Sequence, residues 1–571
     1  MNETKNILIL VLIVVGVMAG WHYLYEGPRM EALQKEQRAA KTNVPTEEIL
    51  PTAIEVQKVD SVSRKDSVAA PNRVKISTPT VTGSINPKGA LLDDLILTKY
   101  NQTVKPDSAK IELLSPEGTE NPYNIQFDWV TQDKDVALPN TSTVWTSANT
   151  DLTPEKPVTF TWDNNQGLQF QKTFSVDKDY LFTVKQKVTN NSSKIVKLYP
   201  LAKIRRVGTP KTSGYMVLHE GPLGVFNGKL AEEKYDDVKE KNKITYKSKG
   251  GWIGITDQFW LTAFLPDQGK DYEFYEKFIP ASGNTKEAYE SGYFGDPIEI
   301  KPGETQEISG NAFAGAKVLK ILDSYEEKLG VVNFDKSVDF GWFYFITKPL
   351  FYLMQYLYEL VGNFGLAIII ITIIVRVLFF PLANKSFKSM ARMKQLQPKV
   401  EEIKKQYGED KLRLNQEMME LYKREKVNPL GGCLPMLLQI PVFFALYKVL
   451  FVSIEMRHAP FFGWIHDLSA PDPTSVFNLF GLIPWDPPTA LMIGVWPLIM
   501  GGTMVLQQKL NPAPADPVQA KMFMIMPIMF TYLFASFPAG LVIYWAWGNI
   551  LSIGQQWVIM RSVNKGSASA K

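Results

Sequence analysis

One cysteine, Cys433, in 571 residues excludes any internal disulfide, so a large extracytoplasmic domain would have to be held by its own apolar core. Histidine is almost as scarce: His22, His219, His458 and His466. No Cys/His metal spacing and no G-x-S-x-G is present. Gly228-Lys229 fails as a phosphate loop, because Leu223 stands where the first glycine belongs and Leu230 where Ser or Thr belongs. His219, beside Glu220, is a lone histidine, more often a surface or core residue than a catalyst. No catalytic residue, resident metal or cofactor is expected. The net charge of +4 carries no bulk affinity for nucleic acid.

A mean hydropathy of −0.10 hides a split. Residues before about 340 are polar; those after about 360 contain long apolar runs. A spanning helix needs roughly 20 mostly apolar residues. Six segments qualify: Ile7 to Tyr25, Val361 to Leu382, Leu434 to Val452, Thr489 to Gln507, Met522 to Phe537 and Ala539 to Val558. The first reads as a retained anchor or a cleaved signal peptide; its weakly charged start favours the anchor. The last two are separated by a tight turn near Pro538 and Gly540. The loop Ala383 to Pro429 is dense in Lys and Arg, whereas Ser453 to Pro488 has only Arg457 against Glu455, Asp467, Asp472 and Asp486. The first loop is therefore expected in the cytoplasm and the second outside, with residues 26 to 340 also outside.

Residues 1–28 read as an anchor and 29–73 as a polar linker without hydrophobic periodicity. From 74 to 330 short alternating segments are separated by Gly, Pro, Asn and Asp: Val158 to Trp162, Leu168 to Val176, Tyr180 to Val188, Gly251 to Leu265 and Glu304 to Phe313. They predict a large antiparallel β-sandwich, closed by a short helix from Lys317 to Leu329. Residues 331–360, rich in aromatics, read as an amphipathic helix on the outer membrane surface or as an extension of the following span. Residues 361–560 hold five spans, and 561–571 form a short cytoplasmic tail. The fold class is thus a polytopic α-helical membrane protein of six spans with an extracytoplasmic β-sandwich.

Arg376 is the most informative residue. It interrupts an Ile-rich span about six residues, roughly 9 Å, from the cytoplasmic end. Intramembrane charge costs about 2.5–3.5 kcal/mol on insertion scales and usually has a function, although snorkelling to the headgroups is the bland alternative. No Asp or Glu lies in the interior of any span. The available neighbours are neutral: Thr372, Gln439, Ser536, Tyr544, Asn549, Ser552 and Gln555. A permanent cation with neutral partners needs water, which suggests a hydrated groove open to the cytoplasm. The same absence of acids argues against a proton-coupled transporter. Met492, Met500, Met504, Met522, Met524, Met526 and Met529 suit a surface that meets many partners, or ordinary packing.

Met390, Met393, Leu396, Val400, Ile403 and Tyr407 recur at helical spacing as a coiled-coil seam. Gly408-Glu409-Asp410 breaks it, and Asp410 is placed to cap a second helix running to about Arg424. A cytoplasmic helical hairpin over 383–429 follows. Its Lys385, Lys388, Arg392, Lys394, Lys404 and Lys405 fit ribosomal RNA or anionic lipid, or a solvated face obeying the positive-inside rule.

With Arg376 stand Met393-Lys-Gln-Leu-Gln-Pro398-Lys, Lys426-Val-Asn-Pro-Leu-Gly-Gly-Cys433-Leu-Pro435, Pro460-Phe-Phe-Gly-Trp-Ile-His-Asp-Leu-Ser469 and Phe537-Pro-Ala-Gly-Leu-Val-Ile-Tyr544. Together they resemble the YidC/Oxa/Alb insertase family over about 340 to 560. The layout before 340 resembles the Gram-negative form. The resemblance implies a five-helix insertase core and insertion of integral membrane proteins without catalysis. It places Arg376 in a water-filled groove that attracts acidic residues of a client. It also implies the bilayer, the Sec translocon and the ribosome as partners, and an inner-membrane location with the large domain in the periplasm. The short, modestly basic tail departs from tails that tether ribosomes. Two other classes compete: a transporter of an anionic solute anchored by Arg376, for which paired inverted repeats are absent, and a periplasmic carbohydrate-active enzyme, which leaves five spans unused.

Overall fold

The computed structural model describes residues 63–568 except 211, 213–217, 284, 342, 409, 426, 428–433, 486, 489–490 and 512–516. The expected first span, Ile7 to Tyr25, lies outside the described residues. The rest forms two units, 63–341 with 452–457, and 343–451 with 458–568.

The first unit is the β-sandwich. One sheet has eleven strands; its main path runs Lys243–Lys249, Asp271–Ile279, Ala288–Phe294, Val196–Val207, Tyr123–Val130, Leu91–Asn101, Val81–Asn86, Val74–Ser77, Asp151–Leu152. The nine-stranded sheet is built around Trp252–Thr256, Trp260–Leu265, Thr305–Ala316, Leu181–Asn190, Leu168–Val176 and Val158–Asp163. Each segment singled out by alternation overlaps these strands, and Gly251 to Leu265 divides into two of them, Trp252–Thr256 and Trp260–Leu265. In Leu168–Val176 the burial alternates without a break, Leu168, Phe170, Lys172, Phe174 and Val176 pointing inward. Phe264 joins the sheets edge-on, its ring 5.2 Å from Phe127 and 5.6 Å from Tyr293. The pairing is antiparallel except at one edge, where Val74–Ser77 runs parallel to Asp151–Leu152.

The unit also contains helices α1 (Arg64–Val68), α2 (Tyr235–Lys241) and α3 (Leu319–Leu329). The linker expectation is corrected at its end. Ser63 caps α1, and Arg73 is buried and paired with Asp93, so residues 63–73 belong to the sandwich unit rather than to a structureless linker. A buried ion pair is invisible to a pattern that looks only for apolar alternation.

The sandwich buries charge in two ways. Lys172 is paired: its Nζ lies 3.2 Å from Asp128 Oδ1 and 4.8 Å over the Trp145 ring. Glu276 is not. It is fully buried opposite Ile244 and Ser291, and neither of its carboxylate oxygens has a hydrogen-bond partner among the described residues. Burial pushes its carboxyl well above the carboxylate range; Glu233 adds to this and Lys241 opposes it. The unfolded chain, with a glutamate pKa near 4.3, therefore ionises first. Stability is full below about pH 4 and falls as pH rises through the raised folded-state value. Glu276→Gln should flatten this decline, measured as thermal unfolding followed by tryptophan fluorescence across pH. An equal slope in both proteins would refute the assignment.

The second unit is helical: α4 (Tyr344–Val361), α5 (Phe364–Leu378), α6 (Phe380–Gln395), α7 (Gln397–Tyr407), α8 (Lys411–Arg424), α9 (Leu434–Val452), α10 (Val495–Leu510), α11 (Pro517–Phe534) and α12 (Ala539–Ala568). Gly362 ends α4 in the left-handed region, and the Asn363 side chain accepts from Leu366 N at 3.1 Å to start α5. The helix expected over 331–360 begins only at Tyr344, while Phe340 is buried in the sandwich unit.

The span expected over Val361 to Leu382 is shorter. α5 has 15 residues and meets α6 at a 69° bend, because Pro381 lacks an N–H and its ring clashes with a continuing helix. Among the described residues no single helix is long and apolar enough to cross a membrane; α5 and α6 pass that test only as a bent pair. The expected seam is divided as well. Met390 and Met393 pack on Ile559 of α12, whereas Val400 and Ile403 pack against Met418 and Leu421 of α8. The break at Leu396, followed by Pro398 in the first turn of α7, separates the two contacts. Asp410 caps α8 as read, accepting from Leu412 N and Arg413 N at 3.1 Å.

Candidate functional site

Arg376 lies in the last turn of α5, half-buried. Its Nη2 donates to the carbonyl of Gly548 on α12 at 3.0 Å. A Cβ at 548 would sit 3.4 Å from that nitrogen and 3.9 Å from Thr372 Cγ2, in ordinary contact with both. Ser552 Oγ donates to the same carbonyl at 2.9 Å. Thr372, one turn before Arg376, is buried, and its hydroxyl donates to Ile368 O at 2.7 Å. On α12, one turn before Gly548, the buried Tyr544 hydroxyl accepts from Gln439 Nε2 of α9.

The guanidinium has five donors. Among the described residues it makes one hydrogen bond and no ion pair. Most of its donor capacity is unused among the described residues.

The structure therefore gathers Arg376, Thr372 and Ser552 at Gly548, and pairs Gln439 with Tyr544 nearby. Asn549 turns instead to α10, donating to Thr503 Oγ1 at 3.1 Å. Ser536 is not brought to Arg376. It is exposed in the turn between α11 and α12, bonded to Leu533 O at 3.0 Å. Sequence reasoning missed the Gly548 carbonyl. No signal in the run Tyr544-Trp-Ala-Trp-Gly548 singles out that carbonyl, because a backbone acceptor carries no sequence mark.

Of the basic hairpin residues, Lys385, Lys388, Arg392 and Lys405 are exposed and Lys404 is half-buried. Lys394 is engaged differently. Its Nζ donates to Lys509 O at 3.1 Å and to Leu510 O at 3.4 Å, satisfying carbonyls at the end of α10.

The two units are thus a β-sandwich and an apolar helical unit carrying Arg376, which is half-buried and has no ion pair among the described residues. Comparison with known proteins makes this specific. Residues 73–353 match the family described as YidC periplasmic domain, and residues 356–566 match 60Kd inner membrane protein. The membrane protein insertase YidC of Beijerinckia indica is 47% identical over 98% of this chain and 96% of its own length. That of Rickettsia bellii is 46% identical over 98% and 99%. A crystal structure described as an active YidC insertase with the first transmembrane domain resolved covers 88% of the chain at 18% identity and a TM-score of 0.36. The chain belongs to the YidC family of inner-membrane proteins.

Proposed function

We propose that this chain is an insertase that places integral membrane proteins in the inner membrane, with the Arg376 groove as the site that receives the client. Membership of a family whose curated members are named membrane protein insertase supports the activity, which is not enzymatic. Its clients are membrane proteins and its medium is the bilayer. The observation that carries the groove is the half-buried Arg376, held by one backbone carbonyl with no carboxylate beside it among the described residues. An acidic residue in a client's translocated segment would supply the missing counter-charge. Thr372, Ser552 and the Gln439–Tyr544 pair give the walls neutral polar groups.

The same reading has six spans, the sandwich in the periplasm and the α7–α8 hairpin in the cytoplasm. Arg457 supports the outer location of the loop after α9. Its Nη2 donates to Asn101 O at 2.7 Å and Gln102 O at 3.1 Å, a contact within the sandwich unit that fits this reading. The Sec translocon and the ribosome are the partners we assign, the latter through Lys385, Lys388, Arg392, Lys404 and Lys405. Lys394 is withdrawn from that surface by its bond to α10.

Depleting the protein and recording which membrane proteins fail to insert tests the function. Topology has its own test. Protease added to the periplasmic face should digest residues 63–340 and spare 383–429; the opposite pattern would overturn the orientation.

A further inference from the structure

We propose that residues 476–485, between α9 and α10, form a wedge seated in the acyl-chain and headgroup boundary of the bilayer, a second lipid-facing surface separate from the Arg376 groove. This rests on reading the flanking helices as spans. Phe477, Leu479, Phe480, Leu482, Ile483 and Trp485 are 43% to 83% exposed. No charged residue occurs between Asp472 and Asp486, and no Lys or Arg between Arg457 and Lys509.

Most of the loop's backbone N–H groups have partners among the described residues. Phe477 N is bonded to Ser475 Oγ, Phe480 N to Ser475 O, Gly481 N to Asn478 Oδ1, and Ile483 N to Asn478 O. Leu482 N and Trp485 N also find carbonyls within the loop. Irregular chain enters hydrocarbon only when its polar groups are satisfied internally. Leu479 and Phe480 hold positive φ of 49° and 58°, a strained conformation for large side chains. The Asn478 amide, donating to Trp485 O at 3.3 Å, ties across this turn.

The base is fixed. The Asp472 carboxylate accepts from Trp464 Nε1, Thr474 N and Trp496 N at 2.9–3.1 Å. Strain is therefore spent to present apolar groups outward from a rigid support. Lipid, rather than protein, is the occupant these features fit. A protein-binding patch carries a polar rim, and here Asn478, the only polar side chain from 476 to 485, is used inside the loop. Trp485 at the wedge's edge suits the headgroup level.

The test uses the full chain with Cys433→Ser and one new cysteine, carrying an environment-sensitive NBD label, in phosphatidylcholine/phosphatidylglycerol vesicles free of other proteins. Labels go at Leu482→Cys, at Pro471→Cys as the exposed control, and at Ile528→Cys on the exposed face of α11. At 482 the emission should shift to the blue, shallow doxyl lipids should quench it, and iodide quenching should fall several-fold below that at 471. Quenching at 482 by iodide as strong as at 471, with 528 still quenched by lipid, would overturn the wedge alone. Loss of lipid quenching at both 482 and 528 would overturn the span reading and the wedge with it. A blue shift at 482 that grows with protein density, without lipid quenching, would mean that a second copy covers the loop, and would likewise overturn it.

Discussion

Replacing Arg376 with alanine should cripple insertion of clients with acidic residues just before their membrane segment and leave matched neutral clients nearly unaffected. At an effective dielectric near 20, opposite charges a few ångströms apart attract by about 4 kcal/mol before desolvation is subtracted. The client also loses water, so a net gain of about 1–2 kcal/mol is expected, roughly a 5- to 30-fold preference. Arg376→Lys keeps the charge and should keep much of the function. The guanidinium makes a single bond, to Gly548 O, rather than a bidentate pair that lysine could not reproduce. Moving a positive charge to Gln439 or Thr372 should rescue part of the loss. Thr372 is the harder site, being buried with its hydroxyl already bonded to Ile368 O. The measurement is insertion of paired clients differing only in the acidic residues, with each variant as the sole insertase. Equal loss for both clients would sink charge attraction and leave Arg376 a role in hydrating the groove.

Deleting 397–425 should abolish insertion while the remaining helices stay folded. The contacts define the boundary. α7 and α8 bury Val400, Met418 and Leu421 against each other, with Ile403, Leu414 and Tyr422 around them, so their removal takes away a self-contained cluster. α6 belongs to a different cluster, with Ala383, Phe387 and Met390 on Ile559. A cut that began at Lys394 would also strip the carbonyls of Lys509 and Leu510 of their donor and confound the result. Starting at 397 leaves that bond intact. Normal insertion by the deleted protein, shown to be folded by unchanged protease resistance of its helices, would make the hairpin dispensable.

The sequence disclosed the sandwich strands because each half-buried strand repeats with period two, as Leu168–Val176 does throughout. It disclosed Asp410 because a capping carboxylate acts within three residues. It failed where the contact is long-range or made by backbone. The apolar spacing from Met390 to Tyr407 is continuous in sequence. Nothing local reveals that its first half faces α12 and its second half α8. Arg376 was legible as a charge out of place, while its partner, a glycine carbonyl 172 residues away, has no side chain to announce it. Ser536 was drawn into the groove by polarity alone, but the tight turn that the sequence itself signals at Pro538 leaves it in the open.

The brevity of α5 reaches beyond the protein into the lipid. Fifteen residues rise about 22 Å, against roughly 30 Å of hydrocarbon in a typical bilayer. Read as a span by itself, α5 would oblige the surrounding acyl chains to compress, at a cost of fractions of a kcal/mol for each ångström of mismatch. That elastic debt grows with acyl-chain length, so the thickness of the host membrane becomes a variable in the protein's own energetics. On that reading the folded chain should be more stable in vesicles of short-chain lipid than in long-chain ones, even though no side chain of the protein has changed.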